Sequence, residues 1–184
     1  MRILGISGSL RRDSYNTKLL RHAGELLPDG VELRVWDRLK DVPPFDEDDE
    51  WAPAAVVVEL REAIAAADAV VFATPEYNGS VPGQLKNAID WVSRPHVTNS
   101  LRNKPVAVVG ASTGVFGALS AQADLRRILG RVGSRVLEAG VAVGQVPSKC
   151  DENGRLGDED AREGLTTVVD ALVDAVYARE PVAA

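Results

Sequence analysis

Thr74-Pro75-Glu76-Tyr77-Asn78-Gly79-Ser80-Val81-Pro82-Gly83-Gln84-Leu85-Lys86-Asn87-Ala88-Ile89-Asp90-Trp91 is the stretch whose reading decides the fold. Just ahead of it, Ala69 to Ala73 form a short apolar run, the pattern of a buried strand. Behind the turn, Gln84 to Val92 carry apolar residues at helical spacing. Between the two lies a turn rich in Pro, Asn, Gly and Ser, at the carboxyl end of the strand. Ligands of open α/β sheets bind at that end. Pro82 suits a helix start, where its missing N–H leaves no bond unmade. Lys86 and Asp90, spaced i, i+4, read as a surface ion pair, and Trp91 as a core or subunit-contact residue.

Outward from this stretch the same alternation repeats. Arg2 to Ile6 is a short strand, Asn16 to Leu27 a helix ended by Pro28-Asp29-Gly30, and Val31 to Trp36 an alternating strand with one exposed face. Asp41 to Pro53 is an acidic, proline-bearing loop and Ala54 to Ala67 a helix. Beyond Trp91 come a buried strand at Pro105 to Gly110, a turn at Ala111-Ser112-Thr113-Gly114 and a helix at Gly117 to Val132. An extended stretch at Ser134 to Val146, interrupted by Gly140, precedes a turn at Asp151 to Arg155 and a closing helix at Asp160 to Ala178. Glu180 to Ala184 is expected to fray. Alternating strands and helices on short loops predict an α/β fold of three layers, α/β/α. The five parallel strands fit the flavodoxin-like order 2-1-3-4-5.

The 184 residues suit a single domain spanning 1–184, with no linker or repeat. A net charge of −6 argues against nucleic acid or an anionic membrane as partner, since both need a basic face. Aromatics at 5% leave no stacking platform for bases. A single cysteine, Cys150, permits neither an internal disulfide nor a cysteine-held zinc. The first residues lack a signal peptide's long apolar segment, and no run reaches a membrane span, so a cytoplasmic protein is expected.

The loop Ser9 to Asn16 runs from the first strand into a helix N-terminus, where unpaired N–H groups and the helix dipole favour an anion. Ser9, Ser14 and Asn16 can add donors, and Arg11 or Arg12 charge. Ser14 or Asn16 can equally cap the helix, and a cap residue can also face a ligand. The loop has neither G-x-G-x-x-G nor G-x-x-x-x-G-K-[ST], so the phosphate belongs to a ligand other than those motifs hold. Gly110 to Gly114 matches G-x-S-x-G, but a hydrolase of that type needs a histidine after the serine, and His22 and His96 both precede it. Metal-ligand spacing is lacking, the acidic run Asp46 to Glu50 reads as a solvated loop, and Cys150, beside Lys149, has no pairing residue and receives no role.

Gly8-Ser9-Leu10-Arg11-Arg12-Asp13-Ser14-Tyr15-Asn16, together with Pro75 to Gly83 and Leu85 to Trp91, resembles the NAD(P)H-dependent FMN reductase family, the flavodoxin-like quinone, chromate and azo-dye reductases. The similarity runs from the N-terminus to about Leu129. It implies FMN as cofactor, with Ser9, Arg11, Ser14 and Asn16 at the phosphate, and Leu10 and Tyr15 in the same loop. It places Pro75, Glu76, Tyr77 and Asn78 at the isoalloxazine ring, with Gly79 leaving room for close approach, and Ser112 in the third ligand loop. Ala111 stands where a hydroxyl residue is common, which points to a backbone contact there, and Gly117-Ala118 replaces a pair of glycines. The resemblance also implies no metal, and a homodimer or dimer of dimers with FMN near the subunit interface.

The activity implied is hydride transfer from NADPH or NADH to FMN, then reduction of a small acceptor such as a quinone, free flavin, chromate or an azo compound. No side chain need act as acid or base, so no catalytic residue is named. The alternatives are a flavodoxin-type electron carrier, or an FMN-binding redox module without NAD(P)H turnover. Carriers usually hold phosphate without arginine and flank the ring with large aromatics, whereas this chain offers Arg11, Arg12 and only Tyr77.

Overall fold

A computed structural model describes residues 1–151 and 155–178. The elements run β1 (Arg2–Ser7), α1 (Tyr15–Glu25), β2 (Glu32–Trp36), α2 (Ala55–Ala66), β3 (Ala69–Ala73), α3 (Gly83–Val92), β4 (Pro105–Ala111), α4 (Leu119–Arg131), β5 (Arg135–Val136), β6 (Ala142–Val143) and α5 (Glu159–Tyr177). The expected frayed end at 180–184, and the middle of the expected turn near 153, lie outside the described residues.

The sheet is parallel and ordered β2-β1-β3-β4-β5, as the alternation predicts. Every residue of β3 and β4 is buried, because helices cover both faces of a parallel sheet. β2, on the edge, alternates exposed and covered positions. Strand side chains alternate sides, so Val70, Phe72, Val106 and Val108 pack against α2, α3 and α4, with Leu60, Ile64, Leu85, Trp91 and Leu125. Val71, Ala73, Ala107 and Val109 face α1 and α5, with Leu20, Leu165 and Val168. Trp91 is core, 1% exposed, and Lys86 pairs with Asp90 at 2.7 Å. Pro82 directly precedes α3 in extended conformation.

The extended stretch expected at Ser134 to Val146 is two short strands instead of one. β5 pairs with the start of β4 and β6 with its end. Arg126 of α4 fills the gap. Its guanidinium donates to Val108 O at 2.8 Å, to Ala139 O at 3.3 Å and to Leu137 O. Val108 O is thus satisfied by a side chain where a continuous strand would supply an N–H. Gly140 allows this approach, since a Cβ there would stand 2.0 Å from Arg126 Nη2.

Candidate functional site

The loops after β1, β3 and β4 meet at the carboxyl edge of the sheet. Gly8 N–H donates to Ala73 O at 2.8 Å and Thr74 N–H to Val109 O at 2.9 Å, so the pairing continues past the strand ends and holds the loops in register. They enclose a cavity of about 140 Å³. Nine of the predicted site residues line it: Ser9, Arg11, Ser14, Tyr15 and Asn16 from the first loop, Pro75, Glu76 and Tyr77 from the second, and Ser112 from the third. Leu10 borders two neighbouring hollows instead, and Asn78 and Gly79 stand outside at an exposed hairpin tip.

In the first loop Ser14 is the N-cap of α1, its hydroxyl accepting from Thr17 N–H at 3.3 Å. Ser7 accepts from Thr17 Oγ1 at 3.0 Å and from Ser9 N–H at 3.4 Å, which fixes the strand exit against the helix. Among the described residues nothing takes up the backbone N–H of Tyr15 or of Asn16. Two donors at a helix start therefore face the cavity, the arrangement that accepts an anion. Asp13, just outside, is held below the ordinary carboxylate range chiefly by its bond to Lys18.

The side chain of Asn16 is engaged within the chain, although the residue lines the cavity. Its amide donates to Ala111 O at 3.0 Å and accepts from Ala111 N–H at 2.9 Å, and its side chain is buried. It braces the first loop against the third, leaving its backbone N–H to face the cavity. The same pair of bonds occupies Ala111's own N–H and one acceptor position of its C=O, while Ala111 still lines the cavity. The sequence holds no signal for a pairing 95 residues apart.

The second loop is a two-residue hairpin. Tyr77 and Ser80 exchange backbone bonds of 3.1 and 3.2 Å, while Asn78 (φ 53°) and Gly79 (φ 77°) occupy left-handed backbone. The Asn-Gly dipeptide is the sequence signal for this turn. Space around Gly79 is open, so glycine is required there for its φ, not to clear a clash within the chain. Tyr77 stands 49% exposed on the rim.

Glu76 has a partner that sequence does not reveal. Its carboxylate accepts Ala121 N–H at 3.1 Å, in the first turn of α4. That helix has no side-chain cap of its own, because its N-cap residue is Ala118, held at φ 64°. Ser80 adds a second tie, donating to Asp124 at 2.7 Å. The hairpin is thus docked on α4 by two side chains. The N–H groups of Glu76 and Asn78 have no partner among the described residues, one beside the cavity and one at the exposed tip.

In the third loop Ser112 N–H donates to Val143 O at 3.0 Å, and Gln145 N–H to Gly114 O at 2.8 Å. β6 and the residues after it therefore hold this loop in place. Ser112 Oγ donates to Gly114 O at 3.2 Å, and no histidine lines the cavity, against the hydrolase reading of this motif. His22 is buried on α1, where Nδ1 accepts Leu156 N–H at 3.1 Å, and His96 is exposed in a loop. Burial pushes the Cys150 thiol up, the reverse of activation. Among the described residues no His, Cys, Asp or Glu group could hold a metal, and no helix is long and apolar enough to cross a membrane.

The residues present fit FMN: unpaired helix-start amides with Ser9, Ser14 and Arg11 suit a phosphate, and unpaired N–H groups in the hairpin of Tyr77 suit the carbonyl-rich edge of a flavin. Comparisons with known proteins agree. The NADPH-dependent FMN reductase family matches residues 1–148. An NAD(P)H-dependent FMN reductase of Pseudomonas aeruginosa is 42% identical over 174 residues, covering 94% of this chain and 93% of that protein. A quinone reductase of Pseudomonas putida is 40% identical over 167 residues, covering 90% and 89%. The solved structure of FerB, a flavoenzyme NAD(P)H:(acceptor) oxidoreductase from Paracoccus denitrificans, superposes with a TM-score of 0.86 at 36% identity, covering 96% of this chain and 97% of that one. The chain belongs to the NADPH-dependent FMN reductase family.

Proposed function

We propose that residues 1–184 act as one FMN-binding domain that takes a hydride from NAD(P)H and delivers electrons to a small acceptor of the quinone class. The observation that carries this is the convergence of three loops on one cavity, with unpaired α1 amides on one side and the Tyr77 hairpin on the other. Family membership and the relatives named as FMN and quinone reductases support the same reading. Bound FMN supplies the two-electron relay between a hydride donor and an acceptor.

The chain's own residues then bind and orient. The start of α1, with Ser9, Ser14 and Arg11, holds the phosphate by helix dipole and direct bonds. The hairpin, fixed on α4 by Glu76 and Ser80, offers the N–H groups of Glu76 and Asn78 to an electron-rich edge. Preorganised donors at such an edge favour negative charge accumulating there. Tyr77 lies at the border of the open side, where reductant and acceptor alternate. No side chain in the cavity is assigned a proton-transfer role.

Two further parts belong to the proposal. The chain assembles as a homodimer or dimer of dimers, supported by Val115, Phe116 and Leu119, which stand 53–75% exposed beside the third loop. It acts in the cytoplasm, where its reductant is made. Anaerobic titration of the flavin-loaded protein with NADPH and NADH tests the activity: the yellow absorbance should bleach stoichiometrically. A panel of quinone, free flavin, chromate and azo dye then ranks acceptors. A protein that binds no FMN overturns the proposal, and one that binds it without oxidising either nucleotide is a carrier or redox module.

A further inference from the structure

A second hollow, of about 260 Å³, lies on the other side of the first loop, between α1 and the segment that follows β2. Four cationic side chains line it: Arg11 and Arg12 from the loop, Arg21 from α1 and Lys40 from the short turn at Leu39–Asp41. One carboxylate, Asp37, faces them. The chain as a whole carries −6, so this is a local reversal of its charge. Among the described residues none of the four cations forms a salt bridge, whereas nearby Lys18 pairs with Asp13 and Arg38 with Asp41 and Glu59. Unpaired cations gathered at a concave surface concentrate anions, and arginine suits phosphate in particular.

Position narrows the anion. The hollow shares Ser9 and Arg11 with the cavity between the ligand loops, and Leu10 and Arg11 with a third, open one reaching Tyr77, Pro82 and Gly83. Arg11 lines all three, so they lie side by side along one rim. A nicotinamide dinucleotide is long: with its nicotinamide by Tyr77, its adenosine end must rest elsewhere along the rim. Resting on the functional reading above, we infer that the Arg12–Arg21–Lys40 hollow seats the adenosine 2′-phosphate of the reductant, and so makes the protein prefer NADPH over NADH. A 2′-phosphate is dianionic at neutral pH, and the 2′-hydroxyl of NADH offers these cations no charge.

Arg21→Gln and Lys40→Gln, singly and combined, test this in the flavin-loaded protein. Loss of two exposed charge contacts should raise KM for NADPH roughly five- to twentyfold in the double variant. KM for NADH should change less than about twofold, with kcat and FMN affinity unaltered, because exposed contacts this far from the ring bear on binding alone. By calorimetry, 2′,5′-ADP should bind the wild-type protein more tightly than 5′-AMP, with a salt-sensitive difference that vanishes in the double variant. Equal rises for both nucleotides, no change for either, or weakened FMN binding overturns the inference. Should the wild-type protein oxidise neither nucleotide, the functional reading fails, while the calorimetry still reports on this hollow by itself.

Discussion

Among the described residues, Glu76 supplies the only side-chain cap at the start of α4 and one of two side-chain ties between the Tyr77 hairpin and that helix, and replacing it with alanine removes both. The magnitude follows from the geometry. A lost N-cap acceptor costs about 0.5–2 kcal/mol. A carboxylate at a helix N-terminus contributes about 0.3–1 kcal/mol through the dipole. Glu76 is partly exposed, so the two contributions overlap, and a net loss of about 1–2 kcal/mol is expected for Glu76→Ala. For a chain of this size that lowers Tm by roughly 2–8 °C. Glu76→Gln keeps the acceptor oxygen and loses only the charge, so it should fall between the two, within about 1 kcal/mol of the wild type. Because the hairpin also carries the proposed flavin-edge donors, FMN affinity should drop in the same order, by about fivefold per kcal/mol transmitted. Urea unfolding of the FMN-free protein and fluorescence titration with FMN measure the two effects. If Glu76→Ala unfolds within about 0.3 kcal/mol of the wild type, or if Glu76→Gln is the weaker variant, the capping argument is wrong.

Two further outcomes follow from buried groups. Arg126→Met leaves the carbonyls of Val108, Leu137 and Ala139 without their donor, so unfolding free energy should fall by roughly 2–4 kcal/mol, read as a lower urea midpoint. His22 is held below its ordinary pKa of 6.5, first by burial, and its neutral Nδ1 accepts a bond from Leu156. The unfolded chain therefore binds this proton more readily than the folded one, so the contribution is present above about pH 6.5 and is lost as pH falls below it. A stability–pH profile should show that decline in the wild type, well above the range in which the carboxylates of Asp158 and Glu25 titrate, and His22→Gln should flatten it.

The legible parts of the site are those encoded by near neighbours. Ser14 three residues before Thr17 is a cap readable from spacing, and it is the cap observed. The turn read from the composition of the Pro75 to Gly83 stretch is a tight hairpin, with the adjacent pair Asn78-Gly79 at its tip. Asn16 and Glu76 stand out by their position in motifs, yet their side chains serve as struts between segments 95 and 45 residues apart. An amide or carboxylate in a loop looks the same in sequence whether it meets a ligand or a distant backbone N–H. The break in the fifth strand is half visible: Gly140 marks the place, but its cause is Arg126, on another element.

By itself the sequence determined the alternation of strand and helix, because buried apolar runs and helical spacing act over a few residues each. It thereby determined the parallel sheet and the rim on which the loops meet, since short crossovers leave few other topologies. Only the tertiary structure decided which side chains line the cavity and which hold the scaffold. It also brought Arg12, Arg21 and Lys40 around one hollow, from three separate segments of an acidic chain. Those outcomes depend on hydrogen-bond partners and charges that become neighbours only after the chain has packed, and local pattern carries no record of them.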